Sequence, residues 1–277
     1  MTEDNILQKI TQRPIETMEV TPDIIILQFP LVNSLLVGDP KKANTEWVLV
    51  GAGMAHTAKS ILTEAENRFG KGSKPAAIIL SHGHFDHVGA ITELVNQWNT
   101  VVYAHGLEMP YLTGQQDYPP ADPTVSQGLI AEISPTFPNQ SINLRDKVKA
   151  LPEDGGVPGM PGWRWIHTPG HSPGHVSFFR DSDKVLIVGD AFTTLNQNDA
   201  ESVLSRKKEL HGPPAYFTVD WQAAKNSVET LKNLNPAIAI SSHGLPVEGN
   251  ELKQQLERLV NNFEQESIPE HGKYVNV

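Results

Sequence analysis

The densest group of chemically active side chains in the sequence is the stretch SHGHFDH at residues 81–87, which holds three histidines and one aspartate. It follows the apolar run AAIIL, which is typical of a buried strand, and precedes a predicted helix. Zinc, manganese and iron accept imidazole nitrogens and carboxylate oxygens as ligands. His82 and His84 are spaced to reach one ion, and Asp86 and His87 to reach another. A solvated polar loop is the alternative, but so dense a cluster favours metal binding.

A second histidine cluster, HTPGHSPGH at residues 167–175, lies between two predicted strands. Its two Pro-Gly pairs predict two tight turns. His171 lies between these turns and is the candidate metal ligand. His167 ends one strand and is interpreted as a packed residue, whereas His175 opens the next strand and is interpreted as a residue that supports a ligand.

Two further strand ends each carry a potential ligand. Asp190 follows the run VLIV, and His243 follows the run AIAI and two serines. Alone, a Gly-Asp turn or a histidine at a strand end is usually structural. Four strand ends that each carry His or Asp, however, predict that these residues gather at one rim of a sandwich.

Composition excludes several functional classes. The 277 residues include 22 Lys and Arg against 32 Asp and Glu, a net charge of −10, which argues against nucleic-acid or anionic-membrane partners. The absence of cysteine removes disulfides, thiolate metal sites and Cys nucleophiles. No apolar run approaches the ~20 residues of a membrane span, and the first ten residues, MTEDNILQKI, do not resemble a secretory signal. We therefore expect a cytoplasmic protein.

Short apolar runs and amphipathic stretches predict an α/β fold in a single domain over residues 1–277. The predicted strands are residues 24–29, 34–37, 47–50, 77–80, 101–104, 163–166, 176–179, 185–188 and 237–240. The predicted helices are residues 57–69, 88–98, 221–234 and 252–264. Residues 109–162 are rich in Pro and Gly and are predicted to form a long irregular excursion with one helix.

These motifs resemble those of the metallo-β-lactamase-fold hydrolases. The matching positions are His82, His84, Asp86 and His87 in an HxHxDH motif, then His171, Asp190 and His243. The resemblance spans about residues 20–265 and implies a four-layer αββα sandwich with a two-metal site at the edge between its sheets. One ion would be held by His82, His84 and His171. The other would be held by Asp86, His87 and His243, and Asp190 would bridge the two.

The chain departs from the family pattern at one position. Gly51, in the stretch VGAG, stands where such proteins usually have an aspartate in a motif of the kind VDTG. That aspartate normally supports the metal ligands, and losses of such supporting groups cost about 10–100-fold in metal affinity or activity. The sequence leaves open whether Gly51 weakens the site.

The resemblance implies a dinuclear zinc-type hydrolase that cleaves an ester, lactone or thioester of a small molecule. Two divalent ions, predicted to be zinc with iron or manganese as alternatives, would activate a bridging hydroxide that attacks the carbonyl. Asp86 is the candidate catalytic residue, because it is placed to orient the hydroxide and shuttle its proton. A bridging Asp190 resembles the lactonases and thioesterases of the fold.

Two alternatives and the substrate contacts stay open. The first alternative is a mononuclear iron persulfide dioxygenase of the same fold, and the second is a metal-binding protein in which catalysis is weakened. The expected partner is a small-molecule substrate, with no nucleic acid and no membrane, and the C-terminal tail leaves a homodimer open. The candidate substrate contacts are Phe192, Thr193, His211 and Tyr216.

Overall fold

The computed structural model describes residues 15–42, 46–126, 128–196 and 207–275, and these form two compact units. The seven-strand unit is made of Thr11–Tyr118 and Gln140–Gly162. The five-strand unit contains Pro119–Asn139 and Trp163–Val277. The stretch MTEDNILQKI, on which the expected location depends, and the end of the C-terminal tail lie outside the described residues.

The sheet of the seven-strand unit has its strands in chain order. They are β1 (Glu16–Thr21), β2 (Ile24–Gln28), β3 (Asn33–Val37), β4 (Val48–Val50), β5 (Ala77–Ile79), β6 (Val102–Ala104) and β7 (Val148–Ala150). Strands β1 to β4 are antiparallel neighbours, whereas β4 to β7 run parallel. Because Val50 of β4 pairs with Ile79 of β5, the loops that follow these strands leave the same edge of the sheet.

The described part of this unit also contains the helices α1 (Ala58–Phe69), α2 (Phe85–Val88), α3 (Ile91–Trp98) and α4 (Met109–Leu112). The buried faces of α1 and α3 join the apolar side chains of the strands in one hydrophobic cluster. Trp47 lies within it, stacked on Phe69 at 4.7 Å between ring centroids and edge-on to Trp98 at 5.6 Å. The loop between β5 and α2 therefore joins two elements whose apolar side chains, such as Ile78 and Val88, belong to this same cluster.

The five-strand unit has the sheet order β12-β11-β10-β9-β8. Its strands are β8 (Trp163–His167), β9 (Val176–Arg180), β10 (Val185–Gly189), β11 (Ile238–Ser241) and β12 (Val247–Glu248). Its helices are α5 (Leu129–Ile133), α6 (Trp221–Asn233), α7 (Gly249–Asn261) and α8 (Phe263–Glu266). The Asp220 carboxylate accepts the Ala223 N–H at 2.8 Å and so caps the N-terminus of α6.

The strand directions gather several loops at one edge of the five-strand sheet. Strands β10 and β11 are parallel, and β9 is antiparallel to both β10 and β8. The C-terminal ends of β8, β10 and β11 therefore lie at the same edge as the N-terminal end of β9. This edge carries the loop from His167 to His175, together with Asp190 and His243.

The predicted strands are all present, with ends that differ by one residue. The predicted helix over residues 88–98 is instead two helices, α2 and α3, and the last predicted helix is also divided, into α7 and α8. The excursion over residues 109–162 contains strand β7 and several short helical turns, so it is more ordered than predicted. No helix in the described ranges is long and apolar enough to cross a bilayer.

Candidate metal-binding residues

The loop between β5 and α2 brings its four predicted ligands together. His82, His84, Asp86 and His87 are all buried. The His82 ring centroid lies 4.6 Å from that of His84 and 4.2 Å from that of His87, and His87 Nε2 lies 3.9 Å from an Asp86 carboxylate oxygen. Three imidazoles and a carboxylate thus share one small volume of the seven-strand unit, as a metal-binding loop requires.

A buried acid and phenol hold the backbone of this loop, and the sequence analysis did not identify them. The Gly83 N–H, between His82 and His84, donates to the Tyr118 hydroxyl oxygen at 2.9 Å and to a Glu108 carboxylate oxygen at 3.1 Å. The Tyr118 hydroxyl in turn donates to Glu108. Burial and the Glu108 charge raise the pKa of Tyr118 well above its usual value, so the phenol stays protonated as a donor.

Gly51 lies beside this loop with open space where a side chain would be. A Cβ built on Gly51 would lie 3.9 Å from His87 Nδ1 and 3.8 Å from Ser34 Oγ, both ordinary contact distances. The buried Ser34 oxygen has no hydrogen-bond partner in the described part of the chain. There is therefore space for an aspartate side chain here, although the φ of +71° at Gly51 strains any residue that carries a Cβ.

The other three predicted ligands lie together in the five-strand unit. One Asp190 carboxylate oxygen is 3.0 Å from His243 Nε2 and 3.5 Å from His171 Nε2. Asp190, His171 and His243 are each no more than 3% exposed. Two imidazole nitrogens directed at one buried carboxylate oxygen form a donor set that suits a divalent cation.

Thr218 fixes the orientation of the His171 ring. The Thr218 hydroxyl donates to the Pro214 carbonyl at 2.9 Å, and its oxygen lies 3.4 Å from His171 Nδ1. Since the hydroxyl proton is already used, His171 Nδ1 must be the donor in the second contact. The Nε2 atom that faces Asp190 then carries the lone pair that a metal ligand needs.

His175 supports Asp190 and does not have the geometry of a ligand. The Asp190 backbone N–H donates to His175 Nε2 at 2.8 Å, while His175 Nδ1 lies 3.0 Å from the Thr168 carbonyl oxygen and 2.9 Å from its hydroxyl. A backbone N–H can only donate, so Nε2 is the acceptor and Nδ1 carries the proton. Both ring nitrogens are occupied within the protein, in agreement with the interpretation of His175 as a supporting residue. His167, by contrast, is exposed and contacts the Pro173 carbonyl.

The predicted ligands in the seven-strand unit and those in the five-strand unit both have side chains that can bind metal ions. All seven predicted ligands are among the His and Asp side chains that could hold a metal. A family model described as the metallo-beta-lactamase superfamily matches residues 28–243, a range that contains all seven. The chain belongs to the metallo-β-lactamase superfamily.

Several curated relatives of this superfamily member are named as hydrolases. It is 50% identical over 215 residues to "Probable metallo-hydrolase YflN" of Bacillus subtilis (strain 168). The aligned residues cover 78% of this chain and 81% of that relative. It is 25% identical over 138 residues to "Hydroxyacylglutathione hydrolase GloC" of Haemophilus influenzae, covering 46% and 58%. The protein is accordingly a metallo-hydrolase of the superfamily.

Comparison with solved structures confirms the predicted fold. The protein ST1585 from Sulfolobus tokodaii superposes with a TM-score of 0.59 at 19% identity, covering 94% of this chain and 89% of that one. TTHA1623 in a di-iron-bound form superposes with a TM-score of 0.54 at 25% identity, covering 83% and 94%. The chain therefore has the predicted mixed α/β fold of the metallo-β-lactamase type.

Three of the four predicted substrate contacts line one cavity of the five-strand unit. Thr193, His211 and Tyr216 all face it. Phe192 does not, because it is fully buried in the hydrophobic cluster formed by the sheet, α6 and α7. Phe192 is therefore a core residue in the structure and not a substrate contact.

Charged side chains beside this cavity are paired with one another. The Glu209 carboxylate binds Lys207 at 2.9 Å and Arg258 at 2.9 Å, and these hydrogen bonds lower the Glu209 pKa to about 2. Burial lowers the pKa of His211 below its usual value and outweighs the opposing effect of Glu209. His211 is thus a neutral imidazole near neutral pH.

Proposed function

We propose that this protein is a dinuclear zinc-type hydrolase that cleaves an ester, lactone or thioester bond of a small molecule. The observation that carries the proposal is the approach of the His171 and His243 Nε2 atoms to one oxygen of the buried Asp190 carboxylate. A buried carboxylate needs a compensating positive charge. A divalent cation supplies it without protonating the imidazoles, which then act as neutral ligands.

The proposed ligand assignment divides the seven residues into two sets. His82, His84 and His171 would hold one ion. Asp86, His87 and His243 would hold the other, with Asp190 shared by both. Support comes from superfamily membership and from the grouping of these donors within each unit. Zinc is the proposed metal, with iron and manganese as alternatives, because imidazole and carboxylate ligands suit all three.

When bound, divalent ions would polarise the scissile carbonyl and make a water molecule acidic enough to attack near neutral pH. Asp86 would orient that water and receive its proton. Nearby serines are engaged in structure: the Ser241 hydroxyl donates to the Phe192 carbonyl at 2.9 Å and accepts the His243 N–H at 3.2 Å. A serine nucleophile is therefore not part of the proposal.

The name of the Haemophilus influenzae relative, a hydroxyacylglutathione hydrolase, supports a thioester among the candidate substrates. The di-iron form of TTHA1623 keeps iron open as the native metal, and with it the mononuclear iron persulfide dioxygenase alternative. A metal-binding protein with weakened catalysis is the third possibility, because Gly51 lacks the supporting carboxylate.

The expected partner stays a small-molecule substrate, with no nucleic acid and no membrane. The cytoplasmic location also stays a prediction, and a homodimer stays open.

Metal analysis combined with activity assays tests this proposal. Purified wild-type protein should contain two zinc ions per chain and hydrolyse at least one of an acyl homoserine lactone, an acyl-glutathione thioester and a simple aryl ester. His82→Ala and Asp190→Ala should lose metal and activity while retaining the circular dichroism spectrum of the fold. His167→Ala, at an exposed histidine outside the proposed ligands, is the matched control and should retain both.

Three results would each point away from the dinuclear hydrolase. One iron per chain, with oxygen consumption on a persulfide, would favour the dioxygenase. Stoichiometric metal with no turnover of any ester, lactone or thioester would favour the metal-binding protein. Full metal content in Asp190→Ala would show that the ligand assignment is wrong.

A further inference from the structure

The five-strand unit contains a cavity of about 150 Å³ that none of the proposed metal ligands lines. An engineered protein cavity of about this volume accommodates benzene, so the space suits a group of about six heavy atoms. We call it the His211 pocket. Its described lining residues are Thr193, Asn196, His211, Gly212, Pro213, Pro214, Ala215, Tyr216, Glu266 and Ser267.

Two polar atoms in the wall of the His211 pocket are left without hydrogen-bond partners in the described part of the chain. The Nε2 atom of His211 and the Oγ atom of Ser267 are both buried, and neither has a hydrogen-bond partner among the described residues. A buried polar group that lacks a hydrogen-bond partner destabilises the folded protein. A bound group that donates to one atom and accepts from the other would remove this cost, so the pair points to a ligand.

The walls of the pocket are rigid. A Cβ built on Gly212 would lie only 2.6 Å from the Ser267 Cβ, so Gly212 is required for Ser267 to pack this closely. Two consecutive prolines follow Gly212 and restrict the backbone further. The Thr193 hydroxyl donates to the Leu195 carbonyl at 2.9 Å, which uses its only proton and fixes the position of this side chain in the wall. A preformed site of this kind binds a ligand with little ordering cost.

The charges around the pocket disfavour an anionic ligand. Glu266 lines it, and the Glu209 carboxylate lies 3.9 Å from His211 Nε2. Arg258 contacts both carboxylates, at 2.9 Å from Glu209 and 3.5 Å from Glu266, so its charge is already compensated. The described lining residues include no Lys or Arg. A neutral group that forms hydrogen bonds is therefore the best match.

Backbone hydrogen bonds connect the pocket to the segments that carry the proposed ligands Asp190 and His243. Thr193, three residues after Asp190, exchanges two hydrogen bonds with the His211 backbone, at 3.0 and 2.9 Å. The next residue, Thr194, donates its N–H to the His243 carbonyl at 3.0 Å. The pocket wall is thus fixed relative to two of the proposed ligands, as a substrate subsite should be.

We infer that the His211 pocket binds a neutral carboxamide or hydroxyl group of the substrate through His211 Nε2 and Ser267 Oγ. The assignment of this group to a substrate rests on the proposed hydrolase function, whereas binding in the pocket does not. The substrate class is then a neutral ester, lactone or thioester that carries an amide or hydroxyl. Thioesters that carry carboxylates at that position are poor substrates.

A binding experiment tests the pocket without requiring turnover. N-(2-hydroxyethyl)acetamide is titrated into the wild-type protein, and the imidazole carbon resonance of His211, assigned with His211→Gln, is followed by NMR. A saturable shift is expected with the amide and none with propionate. Ser267→Leu, which fills the cavity, should abolish the shift, and Ser267→Ala should weaken binding about 2- to 10-fold, the worth of one hydrogen bond. Thr230→Ala, at an exposed position on α6, is the control and should bind as wild type.

A kinetic experiment connects the pocket to the reaction. S-acetyl-N-acetylcysteamine, a neutral amide thioester, is compared with S-acetyl-3-mercaptopropionate, which carries a carboxylate instead. Ser267→Ala should raise KM for the amide about 2- to 10-fold with kcat unchanged, and should leave the carboxylate substrate unaffected. A saturable His211 shift without hydrolysis of either thioester would support the pocket while counting against the hydrolase. Absence of the shift, or equal effects on both substrates, would overturn the inference.

Discussion

Tyr118 donates its hydroxyl proton to the fully buried carboxylate of Glu108, and both side chains accept the N–H of Gly83. Gly83 separates His82 from His84, so this pair determines where the backbone between two proposed ligands lies. The Tyr118 ring also contacts the His84 ring, with centroids 4.5 Å apart. Outer groups of this kind orient metal ligands and limit their motion.

Replacing Tyr118 with Phe should weaken metal binding about 10-fold, within the range found for lost supporting groups. It should also lower the free energy of unfolding by about 1–3 kcal/mol, because Glu108 loses a donor in a buried site. Chelator competition measures the first effect and urea unfolding the second. Tyr111→Phe is the control, since Tyr111 stacks on Tyr118 at 3.9 Å but makes neither of these contacts with Gly83. Equal metal affinity in Tyr118→Phe and wild type would contradict a positioning role.

Gly51→Asp should strengthen metal binding about 10-fold, because the new carboxylate would face His87 Nδ1 and fix that ring for coordination. The backbone at Gly51 has a φ of +71°, where a residue with a Cβ is strained, although aspartate tolerates it better than most. Gly51→Ala carries the same strain without the carboxylate and serves as the control. Zinc titration of all three proteins measures the effect. If Gly51→Asp binds zinc no more tightly than Gly51→Ala, the missing carboxylate at this position does not weaken the site.

Sequence patterns predicted the parts of the site that depend only on neighbouring residues in the chain. Runs such as AAIIL and VLIV are buried strands, and the His or Asp after each one lies where the strand ends. The division of the helix over residues 88–98 was not predictable, because it depends on a distant segment. A Cβ on Gly89 would collide with the backbone of Met54 and Ala55, so the boundary between the two helices is packed against a segment that is distant in sequence.

Strands that form mainly because they pair with a neighbouring strand were also not predicted. Strand β1, with the sequence ETMEVT, is largely exposed and lacks an apolar run, so only its pairing with β2 makes it a strand. Strand β7 is three residues long and sits within a Pro-rich stretch. The Glu108–Tyr118 pair and Ser267 gain their roles from contacts with residues distant in sequence, such as Gly83 and Gly212, and composition carries no signal of such contacts.

His175→Leu should reduce metal affinity about 10- to 100-fold, although His175 is not a proposed ligand. The substitution removes the acceptor of the Asp190 N–H and leaves that buried group unpaired, which frees the Asp190 backbone to move. His175→Gln retains a side-chain oxygen that can accept this N–H, so it should recover part of the lost affinity. Cobalt substitution gives a direct readout, because the visible spectrum of bound cobalt reports ligand geometry. Identical cobalt spectra in His175→Leu and wild type would rule out positioning through His175.

Glu209 should make the free energy of unfolding depend on pH. Its pKa is lowered from 4.5 to about 2, chiefly by the hydrogen bonds from Lys207 and Arg258, so the folded state favours the ionised carboxylate. The resulting stabilisation is fully present above pH 4.5 and is lost as the pH falls from 4.5 toward 2. Glu209→Gln cannot titrate, so the stability difference between wild type and this variant should shrink over the same interval. Urea unfolding at several pH values measures it, with Glu153→Gln, at a carboxylate outside these contacts, as the control. A difference that stays constant from pH 5 to pH 2.5 would mean that the Glu209 ion pairs do not stabilise the folded state.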